Sequence, residues 1–290
     1  MGIEVRPNGI ALAKATAAGG HIESHGFAEC TAAKRLETLR LLVEAHGCEG
    51  AACNLVLMPD QYQLYQVERP AVEQAELAEA IRWRIKDLID GSISDVVLDV
   101  FEFPADASRN RGAMLNVAVA RKSMIKEFIQ LVGDAGLHLS SIDISELALR
   151  NLLRHSDNPA AGRVILLLRR GQGLLTIIRD GNLYLSRRLD FDLSAMADGG
   201  RVESGGEQLA LEVQRSLDYY ESQLKQGPVT QVLVAAREHV EPVLQQLNRN
   251  LGASVAVMPY ASFVADEVSD PGQLVACLAA AGGALREERG

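Results

Sequence analysis

The stretch that decides the fold is Val164-Ile165-Leu166-Leu167-Leu168-Arg169-Arg170-Gly171-Gln172-Gly173-Leu174-Leu175-Thr176-Ile177-Ile178. Two apolar runs rich in branched residues flank a glycine-bearing turn, which reads as a buried β-hairpin. A second hairpin of the same kind opens the chain: Gly2-Ile3-Glu4-Val5-Arg6-Pro7-Asn8-Gly9-Ile10-Ala11-Leu12, continuing through Ala13 and Lys14. Two similar hairpins, each opening one half of the chain, predict a duplicated α/β lobe. A protein that grips a metal-bound phosphate between two such turns wants an acid in each. These turns hold Arg6, Pro7 and Asn8, then Arg169, Arg170 and Gln172, so the architecture is kept and the chemistry is expected to be lost.

Composition agrees with a large two-lobed protein. The 290 residues are 48% hydrophobic and 23% charged, enough for an extensive core. Net charge is -9 and no dense Lys/Arg block occurs, so nucleic acid is not an expected partner. The start, Met1-Gly2-Ile3-Glu4-Val5, reads as a strand and not as a signal peptide. The Ala/Gly-rich stretch Leu274 to Leu285 is too short to span a bilayer. A soluble, cytoplasmic chain is expected. The four cysteines (Cys30, Cys48, Cys53, Cys277) lack metal-knuckle spacing, and the histidines, including His21 and His25 in an expected loop, form no ligand pair. No metal site and no nucleophile motif is predicted.

The expected organisation is a first lobe over residues 1–158, interrupted by a small α/β module at about 58–140, and a second lobe over 159–290 ending in a helix. In the first lobe a short edge strand at Ala28–Cys30 and a helix after Thr31 precede a strand at Cys53–Leu57. The module carries a strand at Tyr62–Val67, a helix at Glu73–Ile89, strands at Asp95–Phe103 and Ala113–Ala120 joined by a loop around Arg109–Gly112, and a helix from Ser123 to Ala135. The polar break His155–Pro159 marks the lobe boundary. After the second hairpin come a strand at Leu183–Leu189, a Gly-rich loop at Asp198–Gly206, and a helix at Gly206–Leu224. A strand at Val229–Ala235, a helix at Glu238–Asn250, a strand at Ser254–Val257 and a closing helix at Gly272–Leu285 complete the lobe.

Several segments carry a family resemblance in matching order. Leu77-Ala78-Glu79-Ala80-Ile81-Arg82-Trp83-Arg84-Ile85-Lys86-Asp87-Leu88-Ile89, Asp95-Val96-Val97-Leu98-Asp99-Val100-Phe101, Ile142-Asp143-Ile144-Ser145-Glu146-Leu147-Ala148-Leu149-Arg150-Asn151 and Gln214-Arg215-Ser216-Leu217-Asp218-Tyr219-Tyr220-Glu221-Ser222-Gln223 resemble the PilM-like type IV pilus assembly proteins. The short length and the turn Arg6-Pro7-Asn8-Gly9 favour the MshI-like branch that serves MSHA pilus biogenesis. The resemblance implies an actin-like (ASKHA) two-lobe fold with an inserted SHS2-like module. It further implies a protein at the cytoplasmic face of the inner membrane, held there by partners. Those are the N-terminal cytoplasmic tail of a PilN-like membrane protein and a pilus assembly ATPase or platform protein.

In that family ATP binds between the lobes, the first turn offers Gly and Ser amides after an acid, the second turn begins with Asp, and a glycine run follows a later strand to hold adenosine. Here Pro7 has no N–H to give, the second turn reads Leu168-Arg169-Arg170-Gly171, and the later loop reads Ala235-Ala236-Arg237-Glu238. The residues that would touch ATP, if it binds, are Asn8, Gly9, Arg169, Arg170, Gly171, Gly173, Gly205 and Gly206. Arg169 and Arg170 are either metal-free phosphate ligands or, the preferred reading, solvated turn residues. Gly205-Gly206 is either a remnant phosphate loop at a helix start or an ordinary turn. Trp83, the sole tryptophan, either covers the module's own sheet or meets a partner together with Arg82, Lys86 and Asp87. The expectation is a degenerate, non-catalytic scaffold. The alternative is an actin-like nucleotide switch, and a small-molecule kinase ranks last for want of an acid near the turns.

Overall fold

A computed structural model describes residues 1–107, 112–153, 161–193, 202–265 and 271–287. The first sheet contains β1 (Gly2–Arg6), β2 (Gly9–Ala15), β3 (Ile22–Glu29), β4 (Ala52–Leu57) and β8 (His138–Ile144), in the order β3-β2-β1-β4-β8. The second contains β9 (Arg163–Arg169), β10 (Gln172–Arg179), β11 (Asn182–Leu189), β12 (Gln231–Ala236) and β13 (Ser254–Val257), in the order β11-β10-β9-β12-β13. Both sheets place three antiparallel strands beside two parallel ones. The duplication read from the two hairpins is therefore a duplication of topology.

Burial explains why the β9 run is apolar throughout. Val164, Leu166 and Leu168 pack outward under α5 (Val202–Ser222) and α6 (Val240–Asn250), while Ile165 and Leu167 pack inward. With both faces covered, period-2 alternation of polarity is lost. On the outer face of the first sheet, Ile3, Val5, Ile10 and Leu12 meet α1 (Arg35–Ala45) and α3 (Lys122–Asp134). Between the sheets lie α4 (Ser145–Leu152) and, after α7 (Pro271–Ala276), α8 (Leu278–Ala284). The expected C-terminal helix is thus two helices, parted at Cys277.

The segment Leu278-Ala279-Ala280-Ala281-Gly282-Gly283-Ala284 is small because backbones meet there. A Cβ on Gly282 would overlap the Ala148 carbonyl of α4, and one on Gly2 would overlap the Ala280 carbonyl. Asn151 and Asn54 donate to the carbonyls of Gly282 and Gly283, each at 2.9 Å, satisfying acceptors that a helix end leaves open.

The module is a three-stranded sheet, β5 (Tyr62–Glu68), β7 (Met114–Arg121) and β6 (Val96–Glu102), in the order β5-β7-β6. It is covered by α2 (Leu77–Ile85), whose Leu77, Ile81 and Ile85 sit on Val67, Val96, Leu115 and Val117. A 3-10 turn, Gln74–Glu76, takes the place of the expected first helical turn. The helix α3 and strand β8, read with the module from sequence, pack into the first lobe. Two other expectations differ. The edge strand β3 begins at Ile22, so His25 stands in a strand and not in a loop; its sequence IESHGFAE has no apolar alternation to signal it. Helix α5 begins at Val202, which puts Gly205 and Gly206 inside it. The expected loops at 109–111 and 198–201 and the break at 155–159 lie outside the described residues.

Gly282→Ala should lower stability by about 1–3 kcal/mol through overpacking against Ala148. Gly133→Ala, on the open face of α3 with nothing near its Cβ, should raise it by roughly 0.5–1 kcal/mol. Urea midpoints of the two variants check both signs.

Candidate functional site

Each hairpin closes with a two-residue turn. Arg6 pairs with Gly9 around Pro7-Asn8, and Arg169 pairs with Gln172 around Arg170-Gly171. Gly171 takes φ 75°, a conformation that needs no side chain at the turn tip. Arg6 and Arg169 therefore end equivalent strands in the two lobes, and they converge on one carboxylate. Glu4, in β1, is fully buried (0% exposed). Arg6 Nε donates to Glu4 Oε2 at 2.7 Å. From the other lobe, Arg169 donates through both terminal nitrogens to Oε1 and Oε2 at 2.9 and 3.1 Å. Arg6 also donates to the Ala276 carbonyl of α7, and its guanidinium lies 4.9 Å over the Phe27 ring.

This cluster revises the sequence reading of the turns. Arg169 is neither a solvated turn residue nor an uncommitted phosphate ligand; it is the cross-lobe partner of a buried acid. The turns themselves hold no acid, as expected, but acids stand beside both: Glu4 lies in β1 ahead of the first, and Glu238, after β12, accepts two 2.9 Å hydrogen bonds from Arg170 at the tip of the second. Burial pushes the Glu4 carboxyl pKa up, but the charges of Arg169 and Arg6 and their hydrogen bonds outweigh it and hold the group below its ordinary value. Hydrogen bonding to Arg170 likewise lowers Glu238, at a solvent-exposed position where such a pair contributes little.

The cleft beside this cluster has a volume of about 310 Å³ and is lined in part by Asn8, Phe27, Arg169, Arg170, Gln172 and Glu238. Three of the residues expected at a nucleotide, Asn8, Arg169 and Arg170, thus come together. Gly9 serves close packing, because a Cβ there would meet the Ala28 carbonyl and the Phe27 ring. Gly173 lets β10 pass between Leu168 and Leu189. Gly206 is a helix–helix contact, its Cα against the Gln246 side chain of α6, and neither it nor Gly205 lines the cleft. The remnant-loop reading of that pair is therefore corrected.

On α2 the two readings of Trp83 separate. It is 66% exposed and covers no core; the Lys86 ammonium lies 5.4 Å from its ring centre. Arg82 donates to the Ile93 carbonyl at 3.1 Å, and Asp87 is exposed just beyond the helix.

A second polar junction escaped the sequence reading. Glu146, at the start of α4, is buried and accepts from the Tyr62 hydroxyl of β5 and from Ser186 Oγ of β11, the latter at 2.7 Å. One carboxylate of the first lobe thus touches both the module and the second lobe. Its only sequence signal is the Ser145-Glu146 start of a helix, which reads equally well as ordinary dipole compensation.

With this geometry in place, comparison with solved structures decides the fold. Among them is a PilM-PilN type IV pilus biogenesis complex, with TM-score 0.80 and 18% identity over 99% of this chain and 98% of that one. The chain has an actin-like fold. The cytoplasmic domain of EpsL, an inner-membrane component of the Vibrio cholerae type II secretion system, matches at TM-score 0.55 and 11% identity over 96% and 92%. A Bacteroides thetaiotaomicron protein with an actin-like ATPase fold matches at 0.53 and 9% over 95% and 94%. No family model matches the sequence, and no curated protein matches it. No helix among the described residues is long and apolar enough to cross a membrane, and no cluster of metal-ligating side chains occurs among them.

Arg169→Ala should destabilise the protein by about 3–5 kcal/mol, because Glu4 loses its partner from the second lobe while staying buried. Glu4→Gln should cost less and should flatten the acid limb of stability. The folded-state pKa of Glu4 is depressed, so its contribution is full above the unfolded value and is lost as pH falls through the folded one. Urea midpoints measured from pH 6 down to about pH 2.5 should converge for wild type and Glu4→Gln.

Proposed function

We propose that this chain is a non-catalytic scaffold of type IV-like pilus biogenesis, of the MSHA type. In this reading it sits at the cytoplasmic face of the inner membrane, binds the N-terminal cytoplasmic tail of a PilN-like membrane protein, and links that platform to the assembly ATPase. The fold neighbour solved as a PilM-PilN complex supports the tail as partner, and the segments Leu77–Ile89 and Ile142–Asn151 support the family. The MSHA assignment rests on chain length and on the turn Arg6-Pro7-Asn8-Gly9.

The observation that carries the non-catalytic part is the Glu4 cluster. Phosphoryl transfer needs an acid free to place a metal or water, and cations free to meet the phosphates. Glu4 has both oxygens filled by guanidinium groups, and Arg6 and Arg169 are committed to it. Of the cations at the cleft, Arg6 and Arg169 are hydrogen-bonded to Glu4 and Arg170 to Glu238, while the exposed Arg237 also lines it. The alternative, a nucleotide switch, would have to dismantle that cluster first.

Calorimetry with Mg-ATP and a phosphate-release assay should show neither micromolar binding nor turnover. Pull-down with short synthetic tails of the platform membrane proteins should retain the chain. Turnover that is abolished by Arg169→Ala would replace the scaffold reading with the switch.

A further inference from the structure

The module is attached at both ends, but in different ways. At one end of its sheet, Tyr62 and Ala120 belong to the first lobe's outer apolar cluster, with Val97 and Phe101 packed against it. The chain enters the module from β4 and leaves it into α3, both of the first lobe. At the far end, Phe103 belongs to the second lobe's cluster with Tyr184, Tyr220 and Leu224, and Ala107 and Met114 pack against it. No backbone hydrogen bond joins module and second lobe among the described residues. A gap of about 160 Å³ stays between them, lined by Leu64, Gln66 and Asn116 on one side and by Leu183, Ser186 and Tyr219 on the other.

One carboxylate holds the far end by polar contact. Asp106 accepts from the Tyr184 hydroxyl at 2.9 and 3.1 Å and from Arg179 at 3.1 Å. The Arg179 guanidinium lies 5.3 Å from the Tyr184 ring centre and also donates to Gln226, so the second lobe itself aims it at Asp106. The Arg179 and Asp106 side chains keep 26% and 33% exposure, so water reaches the pair and can replace it. Closure also leaves a donor dry. Asn116 is 5% exposed, and its amide nitrogen has no hydrogen-bond partner among the described residues. Opening the gap would give that donor to water. Attachments of this kind belong to the low end of local stability.

We propose that Asp106 is a latch. Seated between Arg179 and Tyr184, it closes the module on the second lobe. Released, it lets the module swing on its first-lobe attachment, so that residues 103–107 leave the second lobe and the gap opens. The near end, where Arg188 donates to the Tyr62 carbonyl and Glu146 joins Tyr62 to Ser186, is the hinge. The module is then the two-state element and Asp106 the contact that differs between its states. This inference does not depend on the scaffold reading.

The test follows thiol labelling of the full chain. Leu183 is buried and lines the gap from a strand. A Leu183→Cys reporter in a Cys30→Ser background, treated with a maleimide and read by mass spectrometry, reports opening of the gap, and the buried Cys53 and Cys277 report global unfolding. Position 183 should label faster than Cys53 and Cys277. Asp106→Ala should speed it by about tenfold or more, since a hydrogen-bonded charge is lost. Tyr184→Phe should also speed it, but should add nothing to Asp106→Ala, because the hydroxyl acts through that carboxylate. Gly282→Ala, which loosens the core away from the seam, should speed Cys53 and leave position 183 unchanged. Melting curves check folding, and Leu224→Cys lines the same gap should the first reporter fail to fold. Labelling of position 183 in step with Cys53 would mean that the seam opens only by global unfolding, and would overturn the latch. So would an unchanged rate in Asp106→Ala, or additive effects of Asp106→Ala and Tyr184→Phe.

Discussion

A carboxylate held at zero exposure between two guanidinium groups constrains everything else in this molecule. Glu4 cannot be charged inside the protein unless its partners arrive in good geometry, since the desolvation penalty is several kcal/mol per ion. Arg6 comes from the same strand, but Arg169 comes from the other lobe, so the two hairpins must face each other for the first strand to be buried at all. The arrangement is fixed from several sides. The Ala276 carbonyl and the Phe27 ring hold Arg6, and α7, which supplies Ala276, leads straight into the small-residue helix α8 wedged between the sheets. Backbone contact at Gly2 and Gly282 sets the spacing of the layers, and that spacing sets the reach of the arginines.

The same cluster changes what the cleft can offer. An actin-like fold places two hairpin turns at the mouth of an interlobe cleft, and here those turns are Pro7-Asn8 and Arg170-Gly171. Pro7 removes an amide donor, Arg170 is tied to Glu238, and Arg6 and Arg169 behind the turns are both hydrogen-bonded to Glu4. On the proposed reading, side chains at the expected positions hold the two lobes together. Nothing about the fold had to change for this, because the strands, register and turn lengths are those of a two-hairpin site.

The fold was legible where burial leaves a one-dimensional trace. The all-apolar β9 run, the alternate-face pattern of β7 and the stripe of α3 each announce their neighbours through period alone. What stayed hidden had no such trace. The strand β3 is polar and edge-lying, the start of α5 carries Gly205-Gly206 where a turn is the natural reading, and the tight contact of Gly206 with Gln246 is a property of two helices that no single segment displays. The site was legible as a pair of hairpin turns and illegible as chemistry. Glu4 stands in an apolar strand, Ile3-Glu4-Val5, which signals a buried charge, but its partner lies 165 residues away and only the duplicated topology brings them together. Trp83 shows the reverse case: its side chain lies outside the packing, so the sequence pattern could not place it.

The choice between scaffold and switch comes down to magnitudes. Lobe opening would part Glu4 from Arg169 and Glu146 from Ser186, because each pair joins the first lobe to the second. Removing one partner of a buried ion pair costs about 3–5 kcal/mol because the other charge stays buried, and opening, which lets water reach both, costs less. On the proposed reading, a nucleotide that opened the lobes would still have to offset the loss of both contacts, against a ligand-driven coupling that is typically ~1–3 kcal/mol. The seam between module and second lobe is joined as well by Glu146 and by the contacts of Asp106 with Arg179 and Tyr184, so on the proposed reading these contacts favour the closed arrangement that an adaptor needs.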